Sequence, residues 1–179
     1  MKTIIVYTSQ TGFTKRYAQW LAEELEADVI TLDEAKKKND SYFNGADAIV
    51  YGAWAMGGKF VNSEWFTKKI PDWKGKKLAL MGVGASPAAN PDIEEVLDNI
   101  FTDEERKYAK AFYCQGGIAY EKMKLPSKLA MKAFASMVKN KKGATDKERE
   151  MGEMISHSYD ISDKKYVMPI VEYIRGTHE

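Results

Sequence analysis

Strand signals and helix signals alternate along this chain from its first residues, and that alternation restricts the fold more than any other feature. Lys2 to Tyr7, Asp28 to Leu32, Ala46 to Gly52, Lys77 to Val83 and Lys110 to Gln115 are short, largely apolar runs. Such runs, without strict polar alternation, suit parallel strands covered on both faces. Between them, apolar residues recur at helical spacing. Tyr17, Trp20, Leu21 and Leu25 form one such face, Trp65, Phe66 and Ile70 a second, and Ile93, Val96, Leu97, Ile100 and Phe101 a third. Asn62 or Ser63 can cap the second helix, and Pro71 ends it. Asn90-Pro91 puts a cap and a proline where the third should start. Strands linked by helices in this way predict an α/β fold: a doubly wound, five-stranded parallel sheet with right-handed crossovers and helices on both faces.

The last third breaks the pattern. From Gly116 to about Ser162 there is no clear strand, only two helix-like segments. The first spans about Ser127 to Lys139 and carries Leu129, Met131, Phe134, Met137 and Val138. The second begins at Thr145, which with Glu148 makes a capping-box pattern. A final helix holds Tyr166, Val167, Ile170, Val171 and Ile174, and Pro169 should kink it or delay its start. The chain therefore reads as a single domain over residues 1–179, with a helical insert at about 117–162 before the last helix.

At 179 residues the chain can bury enough surface to need no metal or disulfide staple. Cys114 is the only cysteine, which suits a reducing cytosol. The apolar run after Met1 is short for a signal-peptide core, and no run approaches the ~18 residues of a membrane span. A cytoplasmic location is the expectation. The net charge of +1 points neither to nucleic acid nor to a strongly acidic surface. Positive charge is nonetheless concentrated at Lys122, Lys124, Lys128, Lys132, Lys139, Lys141 and Lys142, around the first insert helix. Such a helix can meet an anionic membrane peripherally, a quinone or a partner protein. Its usual fate is to pack on the core with its lysines in water, and that is the expectation here.

Chemistry concentrates after the first strand. Thr8-Ser9-Gln10-Thr11-Gly12-Phe13-Thr14 offers four hydroxyls and one glycine in seven residues. A helix N-terminus presents unpaired N–H groups and the positive end of its dipole. Hydroxyls interleaved with those donors can wrap a phosphate without a lysine, and Gly12 lets the backbone approach it. The Gly-Lys-Ser/Thr of a P-loop and the three spaced glycines of a dinucleotide fold are both absent here. One or two such hydroxyls would be ordinary helix caps; four around a glycine point to a phosphate.

Tyr7 to Thr14 resembles the FMN phosphate loop of flavodoxins, with Phe13 where that family usually has Asn. The resemblance implies a flavodoxin-like strand order, 2-1-3-4-5, a noncovalent FMN, and a site at the carboxyl ends of the strands. Two further loops then join the site. Ala53-Trp54-Ala55-Met56-Gly57-Gly58 follows the third run, and Trp54 matches a tryptophan that flavodoxins often set against the isoalloxazine ring. Gly57 and Gly58 would let backbone groups reach the flavin nitrogens. Gly84-Ala85-Ser86 opens the next loop, which reads as small, flexible and polar. It lacks the tyrosine that often covers the other flavin face, and Tyr120 is the candidate substitute. The flavin would carry the chemistry, so no catalytic side chain is assigned.

Ordinary flavodoxins are strongly acidic; this chain is nearly neutral, which weakens the carrier reading. Gly117-Ile118-Ala119-Tyr120, Met131-Lys132, and Gly143-Ala144-Thr145-Asp146 with Glu150 are similar to the insert of menaquinone-dependent protoporphyrinogen oxidases. That likeness implies a quinone or a porphyrinogen as substrate. The leading reading is a flavodoxin-like FMN redox protein serving a redox partner; the alternatives are a protoporphyrinogen oxidase or quinone reductase of this type, and a binding module without flavin. Other chemistry finds little support. His157 and His178 are far apart, and no metal-ligand spacing occurs. Ser86 lacks the G-x-S-x-G context of a hydrolase. Glu94, Glu95, Asp103, Glu104 and Glu105 read as helix starts and solvated faces.

Overall fold

The computed structural model describes residues 1–176. Its sheet is built from β1 (Thr3–Tyr7), β2 (Asp28–Thr31), β3 (Ala48–Met56), β4 (Lys77–Gly84) and β5 (Ala109–Gln115). They pair in parallel in the order β2-β1-β3-β4-β5, as expected. Alternation along each strand sends side chains to opposite faces. Ile4, Val6, Ile49, Tyr51, Leu78 and Leu80 build one core layer, and Ile5, Val50, Ala79 and Met81 build the other. The first layer is closed by Leu32, Phe43, Phe66 and Trp73 from short helical turns. The second is closed by α1 (Phe13–Leu25) and by the C-terminal helix.

The third expected helix, α2 (Asp92–Asp98), is shorter than its apolar spacing suggests and buries no residue fully. Phe101, past its end, is the residue that reaches the core. The expectation for β3 also needs correction, because Ala53 to Met56 continue the strand rather than form a loop. Gly57 and Gly58 take φ of 59° and 74°. Successive positive φ values make a tight hairpin turn. The chain folds back to pair Ala55 with Phe60 and Met56 with Lys59.

The insert has its own small core of Ile118, Tyr120, Ala135 and Ile155. It contains α3 (Leu125–Lys139) and α4 (Asp146–Met154). They approach closely at Gly152, where a Cβ would lie 2.6 Å from the Lys139 backbone nitrogen. The Thr145–Glu148 capping box forms in both directions, at 2.8 and 3.2 Å. Lys141 and Thr145 together hold the Glu148 carboxyl down at about 2. Two strands of two residues, Gly117–Ile118 and Tyr159–Asp160, pair antiparallel at the base of the insert. The sequence expectation of no strand here is thus corrected; elements so short leave no periodicity to read. A short 3-10 turn, Lys164–Val167, precedes α5 (Met168–Arg175), so Pro169 delays the helix rather than kinking it.

The packing of α3 departs from expectation. Only Ala135 is fully buried, with Met131 and Val138 partly so, whereas Leu129, Phe134 and Met137 face solvent. The two sets lie on different arcs of the helix, and only one arc meets α4 and the insert core. Among the described residues, no helix is long and apolar enough to cross a membrane.

Candidate cofactor site

The loop from Thr8 to Gly12 joins β1 to α1 at the carboxyl edge of the sheet. It is anchored by the Thr8 N–H, which donates to the Gly52 carbonyl at 2.9 Å. Inside it, the Gly12 N–H donates to Ser9 Oγ at 3.1 Å. Gly12 occupies the N-cap of α1 with φ 102° and carries no capping side chain. The first-turn N–H groups thus stay available, and no acidic residue in that turn opposes an anion. Thr14 is buried, and its Oγ1 has no hydrogen-bond partner. Its Cγ2 sits 3.3 Å from where Gly52 would carry a Cβ. An unsatisfied buried hydroxyl costs about 1–3 kcal/mol. The one other such hydroxyl among the described residues, on Thr3, lies at the opposite end of β1.

Two clefts flank the loop. One, of about 320 Å³, is lined by Tyr7, Thr8, Ser9, Gln10, Lys15 and Asn62, among others. The other, of about 550 Å³, lies against the insert and includes Thr11, Phe13, Arg16, Ile118 and Asp160 in its wall.

Strand alternation decides which β3 residues can serve the site. Trp54 shares a face with Val50 and Gly52, the face that α1 covers, and it is half-buried. Of the four tryptophans, it alone makes no ring contact among the described residues. Trp20 meets Tyr17, whereas Trp65 and Trp73 sit in the aromatic core with Phe43. Ala53 and Ala55 belong to the opposite face and pack in the other layer. Met56, Gly57 and Gly58 form the exposed hairpin tip.

The loop after β4 is tied down rather than flexible. Gly84 O accepts from the Gly116 N–H at 2.6 Å. The Tyr159 hydroxyl donates to Ala85 O and the Tyr113 hydroxyl to Ser86 O, both at 2.7 Å. Burial pushes both phenols up, Tyr159 to about 12, so they remain donors through the neutral range. Tyr120 is a core residue of the insert. It is 7% exposed, and its hydroxyl donates to the Ile155 carbonyl at 2.6 Å.

Several contacts at the site had no sequence signal. Gln10 Nε2 donates to Ser127 Oγ at 3.2 Å, joining the loop to α3. Arg16 reaches Asp160 at 2.6 Å and Ser162 at 2.7 Å. The Tyr17 hydroxyl donates to Gln115 O at 2.5 Å and accepts from the Asp163 N–H at 3.0 Å. These partners are roughly a hundred or more residues apart along the chain, beyond the reach of any spacing rule.

Arg16, Asp160 and Ser162 clasp the insert to α1, and Asp160 makes that clasp sensitive to acid. Partial burial raises its carboxyl, but Arg16 and Ser162 outweigh that effect and hold it below its ordinary value. The pairing therefore contributes fully above the unfolded aspartate value and is lost as pH falls through the lowered folded one. Limited pepsin digestion should find the insert opening below about pH 4. Asp160→Asn should remove that dependence. Uniform resistance of the native protein down to global unfolding would count against the clasp.

No group of His, Cys, Asp and Glu among the described residues could hold a metal. His178 lies outside the described residues. Cys114 is fully buried, and burial pushes its thiol far above the ordinary range.

A strand order that reverses between β1 and β3, with an uncapped, hydroxyl-rich loop at the reversal, defines an α/β protein built to hold a phosphate-bearing ligand. The chain belongs to the Flavodoxin domain family, which it matches over residues 4–147. That membership indicates FMN as the cofactor, and the free helix end and orphaned Thr14 hydroxyl fit its phosphate. Among solved structures, the chain is similar to the flavodoxin WrbA-like protein from Agrobacterium tumefaciens. Identity is 19% over 86% of this chain and 94% of that chain, with a TM-score of 0.49. It is also similar to oxidised Flavodoxin 2 from Bacillus cereus, with 14% identity over 99% of this chain and 100% of that chain and a TM-score of 0.49. Two-electron reduced Megasphaera elsdenii flavodoxin matches at 19% identity over 86% of this chain and 98% of that chain, with a TM-score of 0.46. No curated protein matches the chain.

Proposed function

We propose that the chain is an FMN-binding redox protein that exchanges electrons with a separate partner. The observation that carries this reading is Thr14, whose hydroxyl is buried without a partner beside a helix end that no side chain caps. When bound, FMN supplies the redox chemistry. The chain's own residues bind and orient it. The N–H groups of Phe13, Thr14 and Lys15, with the hydroxyls of Ser9, Thr11 and Thr14, hold the phosphate. Trp54 offers an aromatic face that no other ring among the described residues occupies. The loop from Gly84 to Ser86, fixed by Tyr113 and Tyr159, gives the site a stiff wall.

Titrating the FMN-free protein with FMN should change the flavin fluorescence until one equivalent is bound. A free-flavin signal at excess protein rejects the reading and leaves a binding module without flavin. Trp54→Ala should weaken binding by roughly 2–10-fold, the worth of a stacked aromatic pair, and raise the fluorescence of the complex. Affinity and fluorescence both unchanged would make Trp54 a structural residue of the sheet edge.

A second reading is favoured by the position of the insert. It touches the phosphate loop through Gln10 and Ser127, and its core packs on Ala85 of the loop after β4. An insert so placed suits an enzyme whose substrate is a quinone or a porphyrinogen, the classes implied by the insert's likeness to menaquinone-dependent protoporphyrinogen oxidases. Potentiometry separates the two. Two resolved one-electron waves support the carrier; a single two-electron wave with turnover of a quinone supports the enzyme.

A further inference from the structure

The outer face of α3 is apolar where a surface helix is ordinarily polar. Leu125, Leu129, Phe134 and Met137 are 67%, 59%, 47% and 63% exposed. At about 100° per residue they share an arc of roughly half the helix with Pro126, Ala130 and Ala133, broken by one polar residue, Ser136. The opposite arc, with Ser127, Met131, Ala135 and Val138, is the one turned to the rest of the protein. Four of the large apolar side chains of the helix therefore point outward, while Met131 turns inward.

The charge around that arc has one sign. From Lys122 to Thr145 there are seven lysines and no Asp or Glu. Lys128, Lys132 and Lys139 line the edge of the arc beside Leu125, with Lys132 over the Tyr120 ring at 5.7 Å, Lys122 and Lys124 precede the arc, and Lys141 and Lys142 follow it. Lys139 and Lys141 are paired with Glu153 and Glu148 of α4. The other five make no ion pair among the described residues.

We propose that this face docks the protein on a bilayer surface rich in anionic lipid. Charge selects the occupant. A second copy of the chain, meeting the first through the same patch, would set lysines against lysines. Anionic headgroups satisfy the lysines while the acyl boundary takes the leucine, phenylalanine and methionine side chains. A lipid surface requires no matching groove. At 1.5 Å per residue the helix is about 22 Å long; lying flat, it turns Leu129 and Met137 toward the boundary, with Leu125 and Phe134 at the two margins of the arc. The Gln10–Ser127 contact then brings the phosphate loop close to the membrane surface. The surface is independent of the cofactor, so its test does not share a failure with the flavin reading.

The test is flotation of the full-length protein, with and without FMN, on vesicles of phosphatidylcholine alone or mixed with phosphatidylglycerol. Binding is expected on the mixed vesicles only, and it should be lost at high salt. Each unpaired lysine is worth roughly fivefold near such a surface, so Lys124→Gln with Lys128→Gln should weaken partitioning about 25-fold. Phe134→Gln with Met137→Gln should weaken it at least about tenfold. All four residues are solvent-facing or half-buried, and circular dichroism serves to check that each variant is folded. Equal binding to neutral vesicles, absence of binding at low salt, or full binding by the apolar variant would overturn the proposal. So would a dimer in sedimentation that the apolar variant disperses, which would assign the face to self-association.

Discussion

Thr14→Val should stabilise the FMN-free protein and weaken its complex with FMN. Valine has nearly the shape of threonine, so it fills the same space beside Gly52 while removing a buried hydroxyl that has no partner. The gain should be about 1–2 kcal/mol in a denaturant melt of the FMN-free protein. Affinity should move the other way. A hydrogen bond to a charged phosphate oxygen is worth roughly 1.5–3 kcal/mol, so the single change should cost about 10–150-fold in Kd. Adding Thr11→Val should deepen that loss. The opposed signs set a ligand-directed hydroxyl apart from a structural one, which would lose stability and leave affinity alone. Calorimetric titration beside the melt reads both, and unchanged affinity would remove Thr14 from the phosphate site.

Gly117→Ala should be the most damaging single-methyl change in the insert. A Cβ there would lie 2.1 Å from the Tyr159 carbonyl oxygen and 3.0 Å from both Asp160 Cα and the Phe13 ring. Backbone on the facing strand has little room to yield, so the two-residue ladder must open or the clasp must shift. Overpacking of this kind costs about 2–3 kcal/mol, or roughly 5–10 °C in Tm for a chain of this size. Because Phe13 begins α1, FMN affinity should fall as well. A variant that melts with the wild type would show that the ladder adapts freely. Gly82→Ala is a useful comparison, since the conflict there is with the edge of the Phe60 ring, a side chain that can move.

The parallel sheet was legible in the sequence because its strands are covered on both faces and so announce themselves as apolar runs. The hydroxyl-rich loop after β1 was legible for a related reason: a tight turn into a helix draws its residues from one short segment. Legibility failed where structure depends on pairs of distant residues. Trp54 was expected in a loop, yet the double glycine at 57 and 58 makes a hairpin and leaves it in a strand. The loop after β4 looked flexible, because nothing in Gly84-Ala85-Ser86 foretells that Tyr113 and Tyr159 will hold its carbonyls. Tyr120 was a candidate cover for the flavin, and the insert claims its ring and hydroxyl instead. The helical period of α3 was readable. The arc it would bury was not, since Met131 and Val138 on one side and Leu129 and Met137 on the other are equally apolar.

The short ladder between Gly117 and Asp160 also has a kinetic meaning. α5 must dock beside α1 on the sheet, but in the chain it follows β5 only after the whole insert. Were that insert a slack tether, closing it would cost about 2 kcal/mol more than closing a turn of a few residues. The ladder brings the two ends of the detour together. Pairing Gly117 with Asp160 meets that closure cost at one place, and the insert then counts as a short connection between β5 and α5.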